Sequence, residues 1–255
     1  MLYLKLKDMK KEYMRPEMRL VKAKAKELMF AGENHLTLIF SLLLITASAV
    51  VPLFVFSLIY EFYPYFVTDV AMLLMELLVV PPMLFGLVSM ANKMAEGERC
   101  VLTDLFVGFS DFKTYRRSLF SFVAFLVILV IFACPIAVPF VVAHLMRSAS
   151  VGEGLILAEM IVGVVITSPL SIWLFCRMSI APILNVKGEG VFRSTKRSFI
   201  LTRKKGIKLV CFALRFIPLL FVSIVAVFVP MLIYTAPYLL CVWAVGAKMI
   251  CENNE

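Results

Sequence analysis

Long apolar runs constrain this chain more than any other feature. Lipid offers no hydrogen-bond partner to a peptide group, so an apolar run that crosses a bilayer is a helix or part of a closed barrel. The runs here are far longer than the roughly 10-residue alternation of barrel strands. With 62% hydrophobic and 17% charged residues and a mean hydropathy of +0.95, the chain is too apolar for a soluble domain. We therefore predict an all-α membrane protein.

The runs predict about six transmembrane helices joined as three hairpins, with short outer turns near 61–65, 148–153 and Thr235. The turn at Thr235 rests on only three residues, Thr235 to Pro237, and is the weakest boundary. The predicted spans are 36–60, 66–91, 118–146, 154–184, 207–234 and 236–250.

The basic residues predict the orientation. Of the 26 Lys and Arg residues, 23 fall in the arm 1–35, the loops 92–117 and 185–208, and the C-terminal end. Because short loops rich in Lys and Arg stay cytoplasmic, both termini are predicted inside. Residues 1–35 then form a basic cytoplasmic arm and 36–255 a single membrane domain. The charge favours anionic headgroups, and its dispersal over three loops argues against nucleic acid.

A unit repeats loosely three times: an inner amphipathic segment, a first span, an outer turn, and a second span that contains or begins at proline. Each inner segment is predicted to be a helix with an apolar stripe and a charged back. Such helices either lie in the membrane interface or pack against the inner ends of the bundle. The stripes are Met18, Val21, Ala25, Leu28, Met29; Leu102, Leu105, Phe106, Phe109; and Phe192, Thr195, Phe199.

Prolines inside the spans allow two interpretations. A proline leaves a backbone carbonyl without its helical donor and can open a substrate or ion site in a bundle. Proline is also simply common in membrane helices. We favour the second interpretation, in which Pro81, Pro82, Pro139, Pro169 and others are kinks and packing devices.

Ionisable residues inside spans are functional candidates, because burying them in lipid is costly. Arg177 and Arg215 are predicted at one inner depth, where they could flank a lipid phosphate; snorkelling or structural pairing is the favoured alternative. Glu76, Glu159 and His144 lie toward the outer side and could form a polar, proton-linked cluster.

No catalytic set can be assembled from the sequence. The two histidines, His35 and His144, are predicted on opposite sides of the membrane, and no nucleophile, base or paired acids share a depth. No Cys/His spacing suggests a metal, and no glycine-rich loop suggests a nucleotide. We predict no enzyme activity, no metal and no cofactor.

Several short motifs suggest a relative. In order along the chain they are Gly97-Glu98, 105–109, 177–184, 194–201 and Pro237-Tyr238. This series resembles the bacterial integral-membrane family catalogued as domain of unknown function 975, which is similar to the membrane domain that accompanies some glycerophosphodiester phosphodiesterases. The resemblance implies a multi-pass protein of the bacterial cytoplasmic membrane with no assigned function and no catalytic residues.

Together these features predict a non-enzymatic membrane component. It is expected to bind lipid or partner proteins as a transport or assembly accessory, with the bilayer and its anionic headgroups as partners and other membrane proteins as further candidates. Two alternatives stay open: a small transporter or permease subunit, favoured if Glu76 or the arginines line a wet cavity, and a membrane-embedded lipid-processing enzyme.

Overall fold

The computed structural model describes residues 18–59, 65–148, 152–203, 209–210, 214–219, 221 and 230–252. Within these ranges all regular structure is helical. Five of the described helices are long and apolar enough to cross a membrane, which is the pattern of a multi-pass protein. They are Asn34–Ser57, Val67–Glu96, Phe112–Arg147, Glu153–Val186 and Met231–Glu252.

Short connections join the described elements up to Thr202, and most of the chain between Thr202 and Met231 lies outside the described residues. The α-helices are α1 (Met18–Phe30), α2 (Asn34–Ile59), α3 (Tyr65–Glu96), α4 (Phe112–Ser148), α5 (Glu153–Met178), α6 (Ala181–Val186), α7 (Val191–Thr202) and α8 (Ala236–Glu252). A 3₁₀ helix occupies Leu102–Phe109, and a π-helix occupies Met231–Thr235 immediately before α8.

Helix α4 begins at Phe112, earlier than the predicted start of the span at 118. The cause is a local cap: Asp111 Oδ1 accepts a hydrogen bond of 2.7 Å from the Thr114 amide. This contact satisfies one of the amides that a helix start leaves unpaired. Hydrogen bonds from the Thr114 side chain and from its amide lower the pKa of the Asp111 carboxyl below its usual value.

The turn predicted at Thr235 is wrong. The π-helix Met231–Thr235 runs directly into α8, so the chain is helical through this point. The Ala236 amide donates to the carbonyl of Met231, five residues earlier, which is the hydrogen-bond spacing of a π-helix. This local widening accommodates Pro237 inside the helix. Most of the predicted fifth span, 207–234, and residues 1–17 of the predicted arm lie outside the described residues.

The chain divides into two compact units. The first unit comprises residues 1–120 and 216–255, so it includes only the first turns of α4. Within it α1 packs on α8, α2 packs on α3, and the 3₁₀ helix lies along α3. Met29, Leu38, Met90, Leu105 and Val242 are fully buried in its core.

Two glycines allow the 3₁₀ helix to touch the backbone of α3. A Cβ atom built on Gly86 would lie 1.9 Å from the Leu105 carbonyl oxygen, and one on Gly108 would lie 2.3 Å from the Pro82 carbonyl oxygen. Any side chain at either position would therefore overlap main-chain atoms, which cannot move aside as a flexible side chain can.

The second unit comprises residues 121–215 and contains most of α4 together with α5, α6 and α7. The Ser121 hydroxyl donates to Asn185 Oδ1 at 2.9 Å, and Asn185 Nδ2 donates to the Glu189 carbonyl at 3.2 Å. Gly188 (φ +114°) ends α6 in a left-handed conformation that glycine adopts without strain. These contacts hold the connection between α6 and α7 against the start of the unit.

Replacing Gly86 with alanine tests the close approach in the first unit. Alanine stabilises a helix by about 1 kcal/mol relative to glycine. Overpacking destabilises a protein by about 1–3 kcal/mol, and an overlap with main-chain atoms should cost an amount near the upper end of this range. We therefore expect Gly86→Ala to lower the thermal unfolding midpoint in detergent. Gly154→Ala is the control, because nothing lies within 4 Å of a Cβ there. A midpoint for Gly86→Ala as high as the control's would contradict the packing.

Candidate functional site

Polar side chains in the first unit collect where the spanning helices meet the predicted cytoplasmic loops. Lys93 Nζ lies 2.6 Å from Asp104 Oδ1, and Asp104 Oδ2 accepts from the Val101 amide at 3.1 Å. The lysine near the end of α3 is thus tied to the first turn of the 3₁₀ helix. Such a charge-assisted pair orders the loop between the two helices.

Asn34 and Lys248 bind backbone groups at or near helix ends. The buried Asn34 amide donates to the Leu28 carbonyl at 3.1 Å, and its Oδ1 accepts from the Cys100 amide at 3.0 Å. Lys248 Nζ donates to the Ala95 carbonyl at 3.2 Å, in the last turn of α3. These contacts are structural, since each satisfies main-chain groups within the protein.

Cys100 is buried, and its Sγ contacts the Met90 carbonyl at 3.2 Å. Burial, together with the nearby Asp104 carboxylate, raises the pKa of this thiol to about 12. A thiol is nucleophilic only as the thiolate. Cys100 is therefore not suited to act as a nucleophile.

The raised pKa predicts slow alkylation of Cys100. At pH 8 a thiol with a pKa near 12 is ionised to about one part in 10⁴. We expect iodoacetamide at pH 8 to modify Cys251, which is half-buried near the end of α8, well before Cys100. Peptide mapping of the folded protein by mass spectrometry measures both sites. Alkylation of the two at equal rates would contradict the burial of Cys100, and denaturation should remove the difference.

Arg177 joins α5 to α7 in the second unit. Its Nη2 donates to the Phe199 carbonyl at 2.7 Å, and its guanidinium lies 4.7 Å from the Trp173 ring and 4.8 Å from the Phe199 ring. In return the Ser198 hydroxyl donates to the Arg177 carbonyl at 2.6 Å. Each helix thus supplies a side chain to a carbonyl near the other's C-terminal end. This geometry favours the structural-pairing alternative for Arg177.

The other candidate residues are placed separately. Arg215 is exposed, and the Arg177 hydrogen bonds run to α7, so a phosphate site shared by the two arginines stays a prediction. Glu76 is half-buried on α3 in the first unit, whereas His144 and Glu159 belong to the second. His144 is exposed and Glu159 half-buried, with its Oε2 fully enclosed. The proposed cluster of all three also stays a prediction.

The packed face of α7 lies beside its predicted apolar stripe, of which Thr195 and Phe199 are half-buried. The predicted stripe contained Phe192, but this side chain is 73% exposed, and Ile200 is 63% exposed. Arg193 and Lys196 are exposed on the same side. The buried row instead consists of small or polar residues: Val191, Ser194, Ser198 and Thr202. The outward face of α7 therefore mixes apolar and cationic side chains.

Two side chains bind carbonyls that prolines leave without a donor. Pro82 has no N–H for the Leu78 carbonyl, and the Tyr115 hydroxyl donates to it at 3.2 Å. Pro237 likewise has no N–H for the Ile233 carbonyl, and His35 Nε2 donates to it at 3.0 Å. Neither contact was predicted from the sequence. The available signal was a donor side chain at the start of one span together with a proline inside another.

Loss of the Tyr115 hydroxyl should destabilise the first unit. Tyr115→Phe leaves the Leu78 carbonyl unpaired at a cost of about 1–3 kcal/mol, so we expect a lower thermal midpoint in detergent. Tyr234→Phe is the matched control, because within the described residues its contact is ring stacking on Tyr238, 5.6 Å away. Equal midpoints for the two variants would show that the hydroxyl contact adds no stability.

The chain matches no family model, no curated protein and no solved structure. Among the described residues, no three His, Cys, Asp or Glu side chains are grouped so as to hold a metal ion. The likeness to the family of domain of unknown function 975 stays a prediction. The function must therefore be argued from the contacts and exposed surfaces of the chain itself.

Proposed function

We propose that this chain is a non-enzymatic membrane component that binds anionic lipid headgroups through its inner helices. In this proposal the chain crosses the bacterial cytoplasmic membrane about six times, the last time as Met231–Glu252. Both termini are cytoplasmic, and inner amphipathic helices precede the hairpins. The protein then acts as a transport or assembly accessory that holds lipid or other membrane proteins. The outward face of α7 is the observation that supports it best.

On α7 the exposed apolar and basic residues share one side of the helix. Phe192 and Ile200 are exposed beside Arg193 and Lys196, and Arg177 fixes the end of the helix. An exposed aromatic side chain in water is unfavourable, but at a membrane interface it enters the headgroup boundary while neighbouring cations meet phosphates. The arrangement of α7 is therefore suited to the inner surface of an anionic bilayer.

The 3₁₀ helix and the start of α4 repeat this composition in the first unit. Phe106, Phe109 and Phe112 are exposed, and Lys113 and Arg116 are exposed close to them in sequence. Leu105 alone of the apolar residues in this 3₁₀ helix is fully buried. Aromatic and basic side chains again occupy the outward side.

Helix α1 has the features of both alternatives for the inner segments, which are packing against the bundle and lying in the membrane interface. Val21, Ala25 and Met29 are buried, and α1 packs on α8. Leu20 and Phe30 are exposed, as are Lys24 and Lys26. Helix α1 thus supports packing against the bundle with one face while it presents lysines and apolar side chains with the other.

Lipid retention tests the proposal. We expect the protein purified in mild detergent to carry anionic phospholipid in preference to phosphatidylcholine, as measured by native mass spectrometry after exchange with defined lipids. The Arg193→Gln, Lys196→Gln double variant should bind anionic lipid about fivefold more weakly for each charge removed, because a cation near an anionic surface contributes about 1 kcal/mol.

Arg147→Gln is the matched control, because Arg147 is exposed at the opposite, predicted outer end of α4. It should retain anionic lipid like the unmodified protein. Equal retention of anionic and zwitterionic lipid, or equal losses in the control and the double variant, would contradict the proposal. Turnover of the bound phospholipid by the pure protein would favour the enzyme alternative.

A further inference from the structure

One side of α5 carries a row of polar and small residues. Glu159, Gly163, Thr167 and Ser171 follow at steps of four, which places them along one side of a helix over about 18 Å. Most of the exposed surface of α5 is apolar, and includes Leu157, Ile161, Val162, Val165, Ile166 and Ile172. The less exposed side combines this polar row with apolar residues such as Ile156, which is buried.

Two members of this row hold buried polar atoms without a partner. Glu159 Oε2 and Ser171 Oγ are enclosed and accept or donate no hydrogen bond within the described residues, and Ser171 is only 6% exposed. Thr167 donates to the Gly163 carbonyl at 2.9 Å, which leaves its oxygen lone pairs available. Buried polar groups in native proteins are almost always satisfied, by water where the protein supplies no partner.

Helices α4 and α5 pack closely one turn from Glu159. A Cβ on Gly163 would lie 2.6 Å from Pro139 Cγ, so the missing side chain lets α4 and α5 approach closely. Helices α4 and α5 run antiparallel, so Glu159, four residues before Gly163, lies at about the level of Ala143, four residues after Pro139. The titratable side chains toward this end are Glu153 on α5 and His144 and Arg147 on α4. No hydrogen bond or ion pair in the described part of the chain joins any of them to Glu159.

We infer that the Glu159 carboxyl is a proton-binding site within the membrane-spanning part of the second unit, reached by water along the row from Glu159 to Ser171. A hydronium ion transfers one proton to the carboxylate oxygen and leaves one water; the reverse transfer restores the carboxylate. The hydroxyls of Thr167 and Ser171 hydrogen-bond the water in the row. This site requires neither Glu76 nor the headgroup-binding surface of α7.

Carbodiimide labelling of the unmodified protein in its native membrane tests the site without a variant. Dicyclohexylcarbodiimide enters apolar regions and adds to protonated carboxyl groups, so peptide mapping should find the adduct on Glu159. We expect labelling to fall as the pH is raised, because the reagent adds only to the protonated form of a carboxyl group. No adduct at Glu159, or the same yield at every pH, would overturn the inference.

Cysteine accessibility tests the water in the row. We expect Ser171→Cys to react at least tenfold faster than Ile172→Cys with a cationic methanethiosulfonate, because that reagent attacks thiolates that water can reach. Simple exposure predicts the opposite order, since Ile172 is 38% exposed and Ser171 6%. Faster reaction at Ile172→Cys, or no reaction at either, would show a dry row. Loss of lipid retention in the α7 variants would leave both measurements unchanged.

Discussion

The need to pair every main-chain carbonyl away from water governs this structure. Pro82 and Pro237 each remove a helical donor, and Tyr115 and His35 replace it from the first turns of other helices. In lipid an unpaired carbonyl costs several kcal/mol, so each replacement bond ties one spanning helix to the start of another. These prolines are therefore attachment points as well as kinks, which the kink interpretation of the sequence did not include.

The same constraint explains the polar residues at the ends of the helices. Asn34, Lys248 and Arg177 each donate to a carbonyl near a helix C-terminus, where the regular helical pairing ends. A cation in that position also interacts favourably with the helix dipole. Lys248 and Arg177 thus secure helix ends within the protein, whereas Arg193 and Lys196 lie on the outward face of α7.

The sequence was sufficient to predict the apolar helices, because crossing lipid requires length and hydropathy that a sequence displays directly. It was not sufficient at three points. A proline can end a helix or be accommodated by a π-helix. Pro237 is accommodated in this way, where a turn at Thr235 was expected. The cap that starts α4 at Phe112 is one side chain, Asp111, in a polar loop. The partners of Leu78 and Ile233 are distant in sequence, so no local pattern reveals them.

The packed side of α7 shows why amphipathic patterns must be interpreted differently in this chain. In water an apolar stripe faces the core, but between helices in lipid small and hydroxyl residues allow the closest approach. Ser194, Ser198 and Thr202 accordingly face the protein while Phe192 faces outward. Applied to α5, this rule makes its polar row the interior side. In this row the enclosed oxygens of Glu159 and Ser171 have no hydrogen-bond partner within the described residues. Buried polar atoms are almost always paired, and we infer that water is the partner here. Water in contact with a carboxyl group within a membrane provides a route for protons.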